Sequence, residues 1–142
     1  MTEEANAEYY YVTSDDNLVY MRTNRNAPKF RLVKVDLNNP DESNWVNILP
    51  EDQISVLNDA VAVNNDYLAV IYMRDVVHVI EMHNLADGKY LWDIDTPIGT
   101  VSSVSADRNG TDFFYKITTF LSPGTVYRYD FSTNPNTIKV SQ

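Results

Sequence analysis

Two histidines, an acidic loop and two aromatic runs are the places in this chain where residue type and spacing approach a reactive constellation. His78 and His83 flank the short run 79–82 in a segment that reads as a β-strand. Their odd separation sends them to opposite faces of a pleated strand, so they do not readily close on one metal ion. Asp107-Arg108-Asn109-Gly110-Thr111-Asp112 is the nearest approach to a calcium loop, because a hard cation wants several carboxylate and carbonyl oxygens around one turn. It lacks the full ligand alternation and the distant glutamate, and Asn109-Gly110 between two strands already reads as a tight turn. Asn109-Gly110-Thr111 also spells a glycosylation sequon, to which no role is given because no export signal accompanies it. A serine hydrolase of the α/β type needs its nucleophile on a strained Gly-x-Ser-x-Gly elbow. The four glycines, Gly88, Gly99, Gly110 and Gly124, frame none. Without cysteine there is neither a disulfide framework nor a thiolate ligand. The residues therefore nominate no catalytic, cofactor-binding or metal-binding position, and no cofactor.

Tyr9-Tyr10-Tyr11 and Phe113-Phe114-Tyr115 could serve as stacking platforms for a peptide or a sugar. Alternation along a strand sends some of these rings inward, and core packing is their expected use. Arg22 and Arg74 each follow a methionine at similar points of two related segments, where a cross-sheet salt bridge would be a sensible use. The net charge of −9 argues against nucleic acid and anionic membrane as partners, since both reward clustered Lys and Arg. No charged stretch leads into an apolar one at the N-terminus, and no apolar run approaches the ~20 residues that span a bilayer. A soluble, cytoplasmic protein is expected.

The elements that would position these residues come as a pattern repeated three times. Segments 17–37, 66–85 and 111–131 each read as an alternating apolar strand, a turn and a second alternating strand ending in Asp or Asn before Leu or Phe. They start 49 and then 45 residues apart, within the range of propeller and solenoid repeats. One further short strand precedes each hairpin (8–13, 58–63, 100–105) and one follows it (45–49, 90–94, 137–140). Four antiparallel strands with no helix between copies make one blade of a β-propeller. The preceding strands of the second and third units are rich in small residues, Ala60, Ala62, Ser102, Ser103 and Ser105, which suits an innermost strand where blades converge. The three tyrosines of the first unit break that rule, either filling a gap or lying off the axis. The fold class expected is all-β, three four-stranded antiparallel blades spanning about 8–50, 54–95 and 99–141, with residues 1–142 forming part of a propeller.

Ordered motifs inside the repeat carry a family resemblance. Thr23-Asn24-Arg25-Asn26-Ala27-Pro28-Lys29-Phe30-Arg31-Leu32 resembles a hairpin of prolyl oligopeptidase in which Thr-Asn precedes a short Pro-containing turn and an aromatic-Arg pair. Val35-Asp36-Leu37, the stretch from Pro40 to Trp45, and Leu49-Pro50-Glu51 follow in the family's order. So do Val56-Leu57, Arg74-Asp75-Val76, and His83-Asn84-Leu85 with Asp87-Gly88. The strongest match is the stretch from Thr118 to Tyr127, similar to the family's Phe-Leu-Ser-Pro-Gly segment at Phe120-Leu121-Ser122-Pro123-Gly124.

The resemblance covers about residues 8–131 and implies a two-domain serine peptidase, an α/β-hydrolase domain with a Ser/Asp/His triad capped by a seven-bladed propeller. This chain looks like the last three blades. The triad lies outside them, so the resemblance assigns no catalytic residue here. It implies a lid that admits short peptides cleaved after proline. The expected partners are the hydrolase domain of the same parent chain and, through the complete protein, short proline-containing peptides. The alternative is a free-standing interaction module with no enzymatic activity; a gene continuing past Gln142 into a hydrolase domain would discriminate. Whether the parent hydrolyses or macrocyclises its peptides stays open. An open three-blade arc exposes an end face of several hundred Å² at each side, along with strand edges, so the isolated arc is expected to associate with itself.

Overall fold

Alternating, β-branched-rich segments separated by Asn, Asp and Gly turns fold here into twelve strands, as a computed structural model of residues 7–121, 124–131 and 137–141 shows. The first sheet runs β1 (Tyr9–Asp15), β2 (Leu18–Thr23), β3 (Arg31–Asp36) and β4 (Val46–Leu49). The second runs β5 (Val56–Val63), β6 (Tyr67–Arg74), β7 (Val77–Asn84) and β8 (Tyr90–Ile94). The third runs β9 (Thr100–Ala106), β10 (Asp112–Thr118), β11 (Thr125–Asp130) and β12 (Thr137–Ser141). Every pairing is antiparallel between sequence neighbours, the meander of a propeller blade. The helical element among the described residues is a single 3-10 turn, Glu42–Asn44. Ser122 and Pro123 of the strongest sequence motif lie outside the described residues, as do the first six residues of the chain and 132–136.

The sheets stack through two apolar seams. The first joins sheets one and two through Tyr20, Leu32, Ile48, Leu49, Leu57, Leu68, Val70 and Tyr72. The second joins sheets two and three through Val63, Ile71, Ile80, Met82, Phe113, Tyr115 and Ile117. Between sheets, β1 meets β5 and β5 meets β9, so the leading strands crowd together as the innermost set. Ala60 and Ala62 are buried there, as their small size requires. A register shift recurs at matching points of all three inner pairs: between Tyr11 and Thr13, between Leu57 and Asp59, and opposite Lys116 and Ile117. Such bulges bend the strand and sharpen its twist, here at the same place in each blade.

Because consecutive strands reverse, the turns divide between two rims. The opposite rim holds the β1–β2, β5–β6 and β9–β10 turns; the hairpin rim holds the β2–β3, β6–β7 and β10–β11 tips with the β4–β5 and β8–β9 links. Backbone bonds tie the sheets at both. Asn64 and Asn65 donate to the Gly110 and Arg108 carbonyls at one rim, and Leu57 N–H donates to the Lys29 carbonyl at the other.

The core expectation for the tyrosine run fails. Tyr9, Tyr10 and Tyr11 are 44%, 46% and 67% exposed. β1 belongs to the first sheet of the arc, and strand alternation turns Tyr9 and Tyr11 to the face away from the second sheet. Tyr9 meets the edge of Trp45, whereas Tyr10 lies beneath the Arg22 guanidinium. The Phe113 and Tyr115 rings do fill the second seam, stacked at 5.3 Å, and Phe114 between them faces outward.

Candidate functional site

The two histidines part company as their spacing requires. His78 lies near the second seam, where its Nδ1 accepts a hydrogen bond from Val101 N–H at 2.8 Å and burial holds its imidazole below the usual value. His83 is buried on the other face of β7, in the first seam. Its Nε2 is 2.8 Å from Glu81 Oε1 and its Nδ1 is 2.9 Å from the Gly88 carbonyl. Arg74 closes the other side of Glu81, with Nη2 at 2.7 Å from Oε2 and Nε at 2.6 Å from Ser55 Oγ. Burial pushes the Glu81 carboxyl up, but hydrogen bonds from His83 and Arg74 outweigh it and leave the group below its usual range. Tyr72 beside them is pushed up to about 12, first by burial and then by the Glu81 and Asp52 charges.

This Ser55–Arg74–Glu81–His83 chain is a charge-satisfied strut inside a seam. It presents no nucleophile paired to a base, and its histidine is committed at both nitrogens. Among the described residues no group of three His, Cys, Asp or Glu side chains is arranged to hold a metal ion.

The cross-blade salt bridge considered for Arg22 and Arg74 is made by neither of them. Arg22 crosses the first seam to the Leu57 carbonyl at 3.1 Å and lies over the Tyr10 and Phe30 rings. Burial lowers its pKa from the free value. Arg74, from the facing sheet, forms its ion pair within its own sheet. Among the described residues, an ion pair that does span sheets is one the sequence did not mark. Arg108, in the loop first weighed as a calcium site, donates through Nε to the Asn65 carbonyl at 2.6 Å. Its Nη1 reaches Thr13 Oγ1 at 3.1 Å and Asp15 Oδ1 at 3.0 Å, and its Nη2 reaches Asp15 Oδ2 at 3.1 Å.

One guanidinium thus ties the third sheet to the turn of the second and to the inner strand of the first. The loop around it is a turn closed by Gly110 N–H on the Asp107 carbonyl, and its Asp112 is held by Arg128. Since Asp15 is about half exposed, the ion pair itself is worth under about 1 kcal/mol, and the fork's other bonds add a similar amount. Arg108→Ala is expected to lower stability by about 1–2 kcal/mol, with Arg108→Lys restoring the charge but not the fork. A double-mutant cycle with Asp15→Asn in urea unfolding checks this; zero coupling would show that the fork does not bind the first sheet.

The remaining surface is uneven. The five most exposed large apolar side chains among the described residues are Phe120, Leu121, Val76, Ile98 and Ile54, at 101%, 89%, 88%, 79% and 74%. All five sit on the hairpin rim.

A model of the prolyl oligopeptidase N-terminal β-propeller domain matches residues 1–142, the entire chain. The chain belongs to the prolyl oligopeptidase family, as part of its propeller domain. It is 32% identical over 141 residues to the dual function macrocyclase-peptidase POPB of Galerina marginata, covering 99% of this chain and 19% of that protein. With prolyl oligopeptidase ophP of Omphalotus olearius it shares 34% identity over 125 residues, 88% of this chain and 17% of the relative. The solved apo structure of prolyl oligopeptidase B from Galerina marginata superposes with a TM-score of 0.85 at 29% identity, over 94% of this chain and 19% of that one. The same enzyme bound to a 35mer hydrolysis and macrocyclization substrate gives 0.83. The chain therefore spans about a fifth of the length of these relatives, and all of that stretch is propeller.

Proposed function

We propose that this chain is the closing three-blade arc of a propeller that lids the hydrolase domain of a cytoplasmic prolyl oligopeptidase-type serine peptidase. Its task is access: to admit short peptides for cleavage after proline, to exclude folded proteins, and to help position substrate away from bulk water. The observation that carries this reading is the match of the whole chain to propeller sequence, folded as three sequential four-stranded sheets. The cysteine-free composition suits a reducing compartment.

The arc's two end faces are meant for neighbouring blades. Tyr9, Tyr11, Val19 and Met21 share the face of the first sheet that turns away from the first seam. Ser103, Ser105, Phe114 and Lys116 share the corresponding face of the third. The 142-residue chain on its own is expected to release no chromophore from a proline-containing chromogenic peptide and to run as a dimer or larger species in light scattering. Turnover would overturn the lid reading, and a stable monomer at high concentration would contradict the open-end argument.

A further inference from the structure

The second and third sheets are tied at both rims, and the two ties differ in chemistry. At the opposite rim Asn64 and Asn65 N–H donate to the Gly110 and Arg108 carbonyls at 2.8 and 2.7 Å, and Arg108 Nε returns a bond to the Asn65 carbonyl at 2.6 Å. Backbone amides and a guanidinium keep their protonation state at any pH a cell meets. At the hairpin rim the tie passes through an imidazole. β9, as the innermost strand, pairs on one side only, with β10, and its Val101 N–H finds an acceptor outside its own sheet in His78 Nδ1, at 2.8 Å. The His78 backbone N–H adds a longer bond, 3.4 Å, to the Gly99 carbonyl just before β9.

A backbone N–H can only donate, so Nδ1 must present its lone pair and the ring must carry its proton on Nε2. A proton from solvent on Nδ1 turns that acceptor into a donor facing a donor. The charged side chains of the elements around it lie elsewhere. Arg74 on β6 and Glu81 on β7 pair on the opposite face, Asp93 on β8 sits across from Glu81, and Lys116 on β10 shares the outer face of the third sheet with Phe114. Asp75 at the β6–β7 tip and Asp95 in the β8–β9 link are exposed. Burial, the largest influence on the ring, holds it below the usual histidine range. The unfolded chain therefore takes up the proton first. The stabilisation from this tie is full above the usual range and is lost as pH falls through it to the lowered folded-state value.

We propose that His78 is a proton-operated latch on the second seam: neutral, it holds the start of β9 to β7; protonated, it lets the hairpin-rim side of the seam part while the opposite rim stays tied as a hinge. The latch needs only these two sheets and does not depend on the lid reading.

Amide exchange in the 142-residue chain, read residue by residue by NMR and corrected for its intrinsic pH dependence, tests the latch. Leu57 N–H is the internal reference, because it crosses the first seam at the same rim to the Lys29 carbonyl, which does not titrate. Between about pH 7.5 and about pH 5 the protection of Val101 falls about five- to tenfold relative to Leu57, the weight of one hydrogen bond. His78→Asn, whose Oδ1 can replace Nδ1 as acceptor but binds no proton, keeps that protection level across the range, and His78→Ala leaves it low throughout. Val101 tracking Leu57 in the unsubstituted chain would overturn the latch, as would a fall of equal size in His78→Asn. The ring-nitrogen chemical shifts give a check that needs no variant: at neutral pH they report a proton on Nε2, and a proton on Nδ1 would refute the assignment.

Discussion

Phe113→Ala is expected to cost the arc about 3–5 kcal/mol, the range for removing a fully buried phenylalanine from a core that cannot collapse around the gap. Phe113 has no exposed surface and lies in the second seam with Ile71, Met82, Ile117 and Tyr129. Its ring stacks on Tyr115, which stacks in turn on Tyr127 at 5.3 Å, so the gap opens at one end of an aromatic column. Rigid sheets on both sides limit relaxation. The neighbour provides the control: Phe114 points out of the seam and is only partly buried, so Phe114→Ala should cost much less. Urea unfolding of both variants reads the difference as a shift in midpoint at constant slope. Equal midpoints would mean that the second seam does not hold the sheets together.

Gly88→Ala is the second large effect, and its cause is backbone rather than packing. Gly88 adopts φ +76°, and a Cβ placed there would lie 1.8 Å from the Ile48 carbonyl oxygen on the first sheet. Neither the turn nor the adjacent β4 strand can yield cheaply, so a cost of at least about 2–3 kcal/mol follows. The strut suffers as well, because the Gly88 carbonyl is the acceptor for His83 Nδ1. Gly110→Ala supplies the contrast, since the nearest atom to its added Cβ is 3.4 Å away. Thermal unfolding of the pair should therefore separate strongly, and a Gly88→Ala variant as stable as Gly110→Ala would refute the close-approach argument.

Much of this fold is legible in the chain because the signals are local. Alternation places the hairpin strands, Asn-Asn-Asp and Asn-Gly place turns, and the small residues Ala60 and Ala62 mark an inner strand that the structure does bury. What alternation cannot show is the repeated bulge: Val12, Asn58 and Ser102 look like ordinary strand residues, yet each is the extra residue of its inner pair. Those shifts depend on how two strands pair, which no single segment records. The tyrosine run misled for a related reason. Its alternation is correct, but whether an alternating face is a core face depends on which sheet lies beyond it, and the first sheet has a seam on one side only.

The long-range polar contacts were the least visible part. Arg108 meets Asp15 across 93 positions, and although the Asp107–Asp112 stretch reads as a turn rather than a cation loop, nothing in its composition marks an arginine staple. His83 and Glu81 are adjacent on one strand face, a signal that could have been found from their spacing of two. Arg74 completes the strut only because β6 and β7 pair around the two-residue tip.

The measurement that bears most directly on the lid account replaces the corresponding stretch of prolyl oligopeptidase B from Galerina marginata with these 142 residues and compares cleavage of a short proline-containing peptide with cleavage of a folded protein. The account predicts that the folded chimera cleaves the peptide and spares the protein. A folded chimera that no longer turns over the peptide, or that cuts both substrates alike, would contradict it.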